Sequence, residues 1–128
     1  MIVVDTSVWV SAFRRRNGRE ATVFAALLDH DEVLLPSPVR TELLGGTGSN
    51  DQRTLQRVLT ALPVVYPTDD TWRQMDRWAI ESAKLGQRFG VGDLLIAAIA
   101  REAGALVWSL DRDFARMAKL EFVEVYDP

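Results

Sequence analysis

Short apolar runs alternate along the chain with longer segments whose apolar residues recur at helical spacing. The run Ile-Val-Val at 2–4 is short and β-branched, which is typical of a strand buried on both faces. Comparable runs define the other predicted strands, at 32–35, 64–66, 105–109 and 122–126. Because strands that alternate with helices form βαβ units, the pattern predicts an α/β fold with a mainly parallel five-stranded sheet and helices on both faces.

The segments between the predicted strands carry the helical pattern. We predict four longer helices, over 19–30, 51–62, 69–85 and 111–119. Two short helices are predicted after Thr6-Ser7 and at Pro38. A further helix contains the apolar run 94–99 and ends at Gly104. The glycine-rich stretch 45–50 is interpreted as a connecting loop. Within 69–85 an apolar stripe is interpreted as core or dimer surface. Its members are Trp72, Met75, Trp78 and Ala79.

Length and composition limit the chemistry that the chain can perform. It has 128 residues, of which 48% are apolar and 26% charged, as expected for one globular domain over 1–128. It contains no cysteine and a single histidine, His30, which is expected to be an exposed residue in the last turn of its helix. Thiolate nucleophiles, zinc–thiolate sites and histidine-rich metal sites are therefore excluded. Carboxylates remain, and they suit hard cations such as Mg²⁺.

The location of the protein follows only as a default. The N-terminus reads Met-Ile-Val-Val-Asp and lacks the basic leader and long apolar stretch of a signal peptide. The longest apolar runs are too short to cross a bilayer. We therefore expect a cytoplasmic protein with no membrane partner.

The net charge of −3 argues against a simple electrostatic nucleic-acid binder, which is usually basic. A metal-dependent nuclease, however, concentrates carboxylates in its site, where bound cations offset their charge. Any contact with phosphate groups would then be local. One dense basic cluster is the candidate for it, although a solvated loop and helix start explain the cluster as well. Its members are Arg14, Arg15, Arg16 and Arg19.

Three aspartates fall at the predicted starts of helices. Asp5 follows the first strand and Asp111 the fourth, so both lie at the carboxyl edge of the sheet. With a strand order of 3-2-1-4-5, those two strands are neighbours at the reversal where open α/β sheets bind ligands. Asp93 opens the apolar helix before the fourth strand, and Glu42 lies beside the apolar stripe of its own helix. The pattern predicts that these four carboxylates share one acidic pocket.

Each of these residues also has a simpler explanation. Asp5, Asp93 and Asp111 would all serve as helix N-caps. Glu42 would serve as a surface residue paired with a cation such as Arg40. Capping and metal binding are compatible, because a helix N-terminus favours the ionised carboxylate that a metal needs.

Four carboxylates close together repel one another unless a cation or protons intervene, so the pocket predicts bound Mg²⁺ or Mn²⁺. Such a metal can activate water for attack on a phosphodiester. Thr6 and Ser109 are candidates for orienting a water or a carboxylate, although capping is the commoner role of both. Asp113 is a further acidic candidate, or simply a first-turn aspartate stabilised by the helix dipole.

Four segments in chain order resemble one known family, the PIN-domain ribonucleases, and within it the toxins of VapBC-type toxin–antitoxin pairs. The segments are Ile-Val-Val-Asp5-Thr6-Ser7-Val-Trp, Pro-Val-Arg-Thr-Glu42-Leu-Leu, Val-Gly-Asp93-Leu-Leu-Ile-Ala-Ala and Ser109-Leu-Asp111-Arg-Asp113-Phe114. The resemblance covers essentially the whole chain. Each motif is weak alone, but the ordered set is specific. Ser109 stands where the family commonly has Thr, and the hydroxyl is kept.

The resemblance implies a three-layer Rossmann-like sheet and a catalytic set of Asp5, Glu42, Asp93 and Asp111. It implies that Asp5, Asp93 and Asp111 bind Mg²⁺ or Mn²⁺, with Asp113 in a supporting role. It also implies endonucleolytic cleavage of structured RNA, often tRNA or rRNA. By the same analogy the chain is a homodimer, and a small antitoxin neutralises it by laying a segment over the acidic pocket. Trp9 and Trp108 are candidates for contacting the antitoxin, or for core packing.

Three other functions compete with this interpretation. A phospho-acceptor receiver domain would need an acceptor aspartate after the third strand, where Tyr66-Pro67 stands, and a lysine after the fifth. A haloacid-dehalogenase-like phosphatase would need an aspartate at position 7, which is Ser7. A non-catalytic binding module that keeps the acidic pocket is compatible with the sequence.

Overall fold

The computed structural model describes residues 1–46, 48 and 51–128. Within them four strands alternate with seven helices. The strands are β1 (Ile2–Val4), β2 (Val33–Pro36), β3 (Val64–Val65) and β4 (Leu106–Trp108). The helices are α1 (Thr6–Arg14), α2 (Arg19–Asp29), α3 (Ser37–Gly46), α4 (Gln52–Thr60), α5 (Asp69–Lys84), α6 (Val91–Glu102) and α7 (Arg112–Lys119).

The strands form one parallel sheet in the order β3-β2-β1-β4. Val3 of β1 lies opposite Leu34 of β2 on one side and Val107 of β4 on the other. Helices cover both faces of the sheet, as predicted. Because β1 and β4 are neighbours and parallel, the turns that follow them, into α1 and α7, meet at the same edge of the sheet.

The predicted fifth strand is wrong as a strand. Its segment makes one isolated parallel bridge, between Val107 and Val125, through the main-chain bonds from Val107 N to Glu124 O (2.9 Å) and from Tyr126 N to Val107 O (2.8 Å). Both of these bonds involve Val107, so the segment has one rung of pairing with β4 in place of a continuous ladder. The Phe122 ring stacks on Trp78 at a centroid distance of 4.6 Å.

The core is centred on β1 and α6. Val3 and Val4 have no exposed surface, and α6 is buried around most of its circumference from Ile96 to Ala100. A helix apolar on nearly all sides requires such a central position. Gly104, at φ +65°, ends this helical segment as predicted, since a left-handed residue after the C-cap favours glycine.

The predicted stripe of α5 is half right. Met75 and Trp78 are buried, but Trp72 is 45% exposed and Ala79 is also exposed. The buried face instead continues through Thr71, which closes a capping box with Thr68, and through Ser82. Two small polar residues thus occupy buried positions that hydrophobicity alone did not indicate.

Other predicted features differ in detail. Pro36 belongs to β2 and lies opposite Val65, so it does not stop the strand. Helix α3 extends through Gly46 into the predicted loop 45–50, of which residues 47, 49 and 50 lie outside the described residues. Trp9 and Trp108 are buried in the core, in agreement with the core-packing alternative. Trp9 Nε1 donates to the carbonyl of Val4 at 3.2 Å. Among the described helices none combines the length and apolar character needed to cross a membrane.

Candidate metal centre

Asp5 lies in the turn between β1 and α1 and is only 6% exposed. It occupies the N-cap position of α1, but its side chain makes no capping hydrogen bond. Its Oδ2 atom instead accepts hydrogen bonds from Ser7 Oγ at 2.8 Å and from Ser109 Oγ at 2.7 Å. The buried carboxylate is therefore held by hydroxyl groups from two different turns.

The two serines tie these turns together. Ser7 Oγ accepts from the main-chain N–H of Leu110 at 3.0 Å, and Ser109 Oγ accepts from the N–H of Asp111 at 2.9 Å. The main-chain N–H of Asp5 in turn donates to the carbonyl of Trp108 at 2.9 Å, which extends the pairing of β1 with β4. The relative position of Asp5 and Asp111 is thus fixed by hydrogen bonds on both sides of the crevice.

A group of three carboxylates forms the more open part of the site. One oxygen each of Asp93, Asp111 and Asp113 lies within 4.8 Å of the others, close enough to coordinate a single cation. Asp93 and Asp113 are half-buried, whereas Asp111 is exposed. These residues come from the first turns of α6 and α7, so the two helices present their N-termini to the same space.

Asp93 is the electrostatically stressed member of the group. Its pKa is raised from 3.8 to about 6, chiefly by burial and then, in decreasing order, by the neighbouring charges of Asp111, Asp5, Asp113 and Glu42. The N-cap of α6 is Gly90, so Asp93 stands in the first turn and does not cap the helix. The capping explanation for Asp93 is therefore wrong. The carboxyl group lies among like charges that a cation would neutralise.

Asp111 and Asp113 are held by α7 itself. Asp111 is the N-cap, and its Oδ1 accepts from the main-chain N–H of Asp113 at 2.9 Å, so the capping explanation holds for this residue. Asp113 Oδ1 accepts from Arg116 Nη1 at 2.8 Å. Arg116 also lies over the Phe89 ring, 4.5 Å from its centroid, and contacts Gln87 Oε1 at 3.4 Å. One guanidinium thus connects the acidic group to the apolar packing around Phe89.

The remaining predicted residues are less tightly gathered. Glu42 is exposed on α3 and is the weakest of the charges that act on Asp93. Arg19 lies beside Ser109 in a cavity next to the acidic group. The other arginines of the basic cluster are exposed at the end of α1 or just beyond it, and Arg16 pairs with Asp51 at 3.4 Å. His30 is exposed at the C-cap of α2, where Nδ1 contacts the carbonyl of Ala26 at 2.7 Å.

The donor set fits a hard divalent cation. Three carboxylates lie within coordination distance of one another, and no thiolate or imidazole belongs to the group. Mg²⁺ and Mn²⁺ prefer such oxygen ligands. The Thr6 Oγ1 atom is buried and has no hydrogen-bond partner within the described part of the chain. A buried hydroxyl of this kind is normally satisfied by a water or a ligand.

The comparisons with known proteins agree with the fold. The family model described as "PIN domain" matches residues 2–120. The chain belongs to the PIN-domain family. Among curated proteins it is similar to "VapC ribonuclease Mb1587" of Mycobacterium bovis, with 31% identity over 129 aligned positions that cover 94% of this chain and 93% of the relative. It is 33% identical to "Ribonuclease VapC18" of Mycobacterium tuberculosis, over 91% of this chain and 87% of the relative.

Solved structures show the same PIN fold. A chain of VapBC2 from Rickettsia felis, solved with a DNA fragment from the promoter, superposes with a TM-score of 0.77 at 20% identity over 98% of both chains. FitAcB from Neisseria gonorrhoeae gives the same TM-score at 22% identity, covering all of this chain and 98% of that one. Membership of the PIN family decides against the receiver-domain and dehalogenase-like alternatives.

Two residues that contact the acidic side chains are not candidates in the sequence analysis. Ser7 donates to Asp5 and accepts from the turn after β4. Arg116 was not singled out at all. Its signal was the spacing of three residues from Asp113, which places both side chains on one face of α7. Such i,i+3 pairs are frequent on helices, so the spacing alone did not distinguish this one.

Proposed function

We propose that this chain is a metal-dependent endoribonuclease and the toxin of a toxin–antitoxin pair, cutting RNA and thereby inhibiting translation and growth. The observation that carries the proposal is the group of Asp93, Asp111 and Asp113 with the raised pKa of Asp93, in a chain of the PIN family. Curated relatives that match over nearly the whole chain are named ribonucleases. Structured RNA, tRNA or rRNA, in the cytoplasm is the expected substrate.

The metal would be held by Asp93, Asp111 and Asp113, with Asp5 and Glu42 as the nearby acidic residues of the same pocket. Bound Mg²⁺ or Mn²⁺ supplies a Lewis acid for hydrolysis of the phosphodiester. Ser7 and Ser109 hold the Asp5 carboxylate in place through their hydrogen bonds to Oδ2. The Thr6 hydroxyl is available to orient a water, because it has no partner among the described residues.

The basic cluster is the proposed contact for the RNA backbone. Arg14, Arg15, Arg16 and Arg19 are all exposed, and they provide local positive charge in a chain whose net charge is −3. Phosphate contacts of this kind give affinity without sequence selectivity. We therefore expect their neutralisation to weaken RNA binding for all sequences alike.

The proposed partner is a small antitoxin that covers the acidic pocket with a segment carrying a basic side chain. The support is that the similar solved structures, from Rickettsia felis and Haemophilus influenzae among others, are named as VapBC complexes. A cation from the partner would relieve the repulsion at Asp93 in the way that a metal would. A homodimer of this chain is proposed from the same likeness and is tested by its mass in solution.

The test is cleavage of total RNA by the purified, partner-free protein with Mg²⁺, with Mn²⁺ and with chelator. Asp93→Asn is the inactivating variant. Glu102→Gln is its matched control, because Glu102 is an exposed carboxylate at the opposite end of the same helix, roughly 14 Å away at 1.5 Å per residue. Discrete fragments that require metal, disappear with Asp93→Asn and persist with Glu102→Gln would support the nuclease.

The opposite outcome is equally informative. Cleavage that is independent of metal, or equal for Asp93→Asn and the parent, would point to a contaminant. No cleavage at all by a folded, metal-loaded protein would favour the non-catalytic binding module. Cleavage abolished by adding the neighbouring gene's product would in addition support the antitoxin.

A further inference from the structure

A cavity of about 190 Å³ is lined in part by Ser109 and Leu110, the two residues that precede Asp111 of the acidic group. It shares Ser109 with the site, and the hydroxyl of that residue donates to Asp5 at 2.7 Å. Six of the residues that line it carry the argument below. They are Arg19, Glu20, Trp108, Ser109, Tyr126 and Asp127. None of these except Ser109 and Arg19 has a role in the proposed reaction.

The wall of the cavity includes two aromatic rings in a fixed arrangement. Tyr126 packs edge-on against Trp108, with ring centroids 5.7 Å apart and an interplanar angle of 70°. Trp108 belongs to β4 and is 4% exposed, so it does not move independently of the sheet. The main chain of Tyr126 is held by its N–H, which donates to the carbonyl of Val107 at 2.8 Å. The half-buried Tyr126 ring is thus a rigid surface beside the site.

The polar groups of the cavity are mixed in kind. Arg19 provides N–H donors, and its guanidinium donates to the main-chain carbonyl of Pro128. Glu20 and Asp127 provide carboxylate acceptors, and Ser109 provides a hydroxyl. Two carboxylates against one guanidinium make a poor site for a phosphate. Donors and acceptors beside an aromatic ring instead match the edge and the face of a nucleobase.

We propose that this cavity, here named the base pocket, holds one unpaired RNA base next to the phosphodiester that is cut. The inference rests on the proposed function, because a base enters this cavity only when an RNA strand lies across the acidic group. With the scissile phosphate at Asp93 and its neighbours, a base splayed out beside it meets the Tyr126 ring. RNA-binding proteins read unstacked bases in this way, by stacking on aromatic rings and by hydrogen bonds to the base edges.

The first experiment measures the interaction between protein and base directly. A short single-stranded RNA that the parent cuts at one site is prepared with an abasic nucleotide at each flanking position in turn. Tyr126→Leu is compared with Tyr66→Leu, the matched control, because Tyr66 is 64% exposed and lines none of the cavities described. Tyr126→Phe keeps the ring and serves as rescue. Melting temperatures report whether each variant folds.

The expected result is a non-additive pair of losses. Tyr126→Leu lowers kcat/KM on the complete RNA by about tenfold, as expected for one base–aromatic stack. An abasic nucleotide at one flanking position lowers it by a similar factor, and Tyr126→Leu then costs nothing further. Tyr66→Leu and Tyr126→Phe act like the parent. Losses that multiply at every abasic position, or equal behaviour of the Tyr126→Leu and Tyr66→Leu variants, would overturn the base pocket while leaving the nuclease intact.

A second measurement does not depend on catalysis. Fluorescence anisotropy of the same RNAs is recorded with Asp93→Asn protein, with and without Tyr126→Leu. The base pocket predicts that Tyr126→Leu weakens binding of the complete RNA about tenfold and of one abasic RNA not at all. If the parent cleaves no RNA, the measurement is made on a single-stranded RNA of equal length with an abasic nucleotide at each position in turn; the proposed function then fails, and the same pattern would support the pocket. If affinity is unchanged for every RNA, the pocket fails whatever the catalytic result.

Discussion

Asp5 and Asp93 belong to the same acidic pocket but differ in burial and in the hydrogen bonds that they receive. Asp5 is almost fully buried, yet two hydroxyls donate to it and its position is fixed from both neighbouring turns. Asp93 is only half-buried, receives no side-chain hydrogen bond among the described residues and has a pKa raised to about 6. Burial is the largest cause of the raised pKa of Asp93, and no side-chain donor among the described residues offsets it.

The difference assigns separate tasks to the two sides of the pocket. On the Asp5 side, hydroxyl groups of the chain itself hold the carboxylate, so Asp5 also stabilises the scaffold. On the other side, the like charges of Asp93, Asp111 and Asp113 repel one another and destabilise the metal-free protein. A bound cation would remove this repulsion. Substitutions on the two sides should therefore change the stability of the metal-free protein in opposite directions.

The largest effect is expected from Asp5→Ala. It removes an acceptor of two charge-assisted hydrogen bonds and leaves the hydroxyls of Ser7 and Ser109 without it. We expect a loss of about 2–3 kcal/mol in the free energy of unfolding, measured by urea denaturation without metal. Ser109→Ala, which removes one donor to Asp5 and the acceptor of the Asp111 N–H, should cost about 1–2 kcal/mol. An Asp5→Ala protein as stable as the parent would show that the carboxylate is not part of the scaffold.

The next effect is stabilisation by metal and its dependence on pH. A cation that binds only the folded protein adds about 2.7 kcal/mol to the free energy of unfolding when its concentration is a hundred times its Kd. For a chain of this size each kcal/mol raises Tm by about 3–5 °C. Binding requires ionised carboxylates. Because the pKa of Asp93 is about 6, the gain from Mn²⁺ should be full at pH 7.5 and shrink as the pH falls through 6 toward 5. A gain that is constant between pH 7.5 and pH 5 would exclude Asp93 as a ligand.

Asp93→Asn should raise the stability of the metal-free protein. A carboxyl group whose pKa is higher in the folded state contributes stability below its unfolded pKa of 3.8 and loses it as the pH rises through about 6. For a fully buried group this shift would be worth about 3 kcal/mol, and partial exposure reduces it to about 1–2 kcal/mol. The variant should therefore melt higher than the parent at pH 7.5 and equally at pH 4. A lower melting temperature at pH 7.5 would contradict the proposed repulsion.

The strand order β3-β2-β1-β4 and the closeness of Asp5 and Asp111 to Asp93 could be predicted from the sequence, because they depend on local patterns. Asp5 and Asp111 each follow a short β-branched or aromatic strand, and parallel neighbours bring such positions together whatever the details of packing. The fifth strand failed because its prediction used composition. Phe122 and Val123 are apolar and buried, and the Phe122 ring stacks on Trp78, but the main chain of the segment makes only one bridge to β4.

The hydrogen-bond partners inside the site were beyond the reach of sequence patterns. Ser7 and Ser109 are 102 positions apart, and only the pairing of β1 with β4 places their hydroxyls 3.3 Å from each other. The same holds for Arg116, whose contacts with Gln87 and Phe89 join α7 to the segment before α6. Long-range polar contacts of this kind depend on the exact distance between elements, which periodicity does not encode.

The smallest effect is expected from Arg116→Gln, because Arg116 connects Asp113 of the acidic group to the Phe89 ring. The variant loses a partly exposed ion pair with Asp113 and the contact over the Phe89 ring. Together these contributions should amount to about 1 kcal/mol of unfolding free energy. A matched control is Arg73→Gln on α5, which removes an i,i+3 pair with Asp70 that is far more exposed and has no ring beneath it. Its cost should stay below about 0.5 kcal/mol.

A double-mutant cycle of Arg116→Gln with Asp113→Asn separates the two contributions of Arg116. The ion pair alone should appear as a coupling of about 0.5 kcal/mol, and the remainder should persist when Asp113 is already neutral. Because Arg116 partly neutralises Asp113 in the metal-free protein, its removal also leaves more repulsion for a cation to relieve. The stabilisation by Mn²⁺ should therefore be larger in Arg116→Gln than in the parent. An unchanged or smaller gain would mean that Arg116 acts only through packing on Phe89, and that the charge balance of the acidic group is set by the aspartates alone.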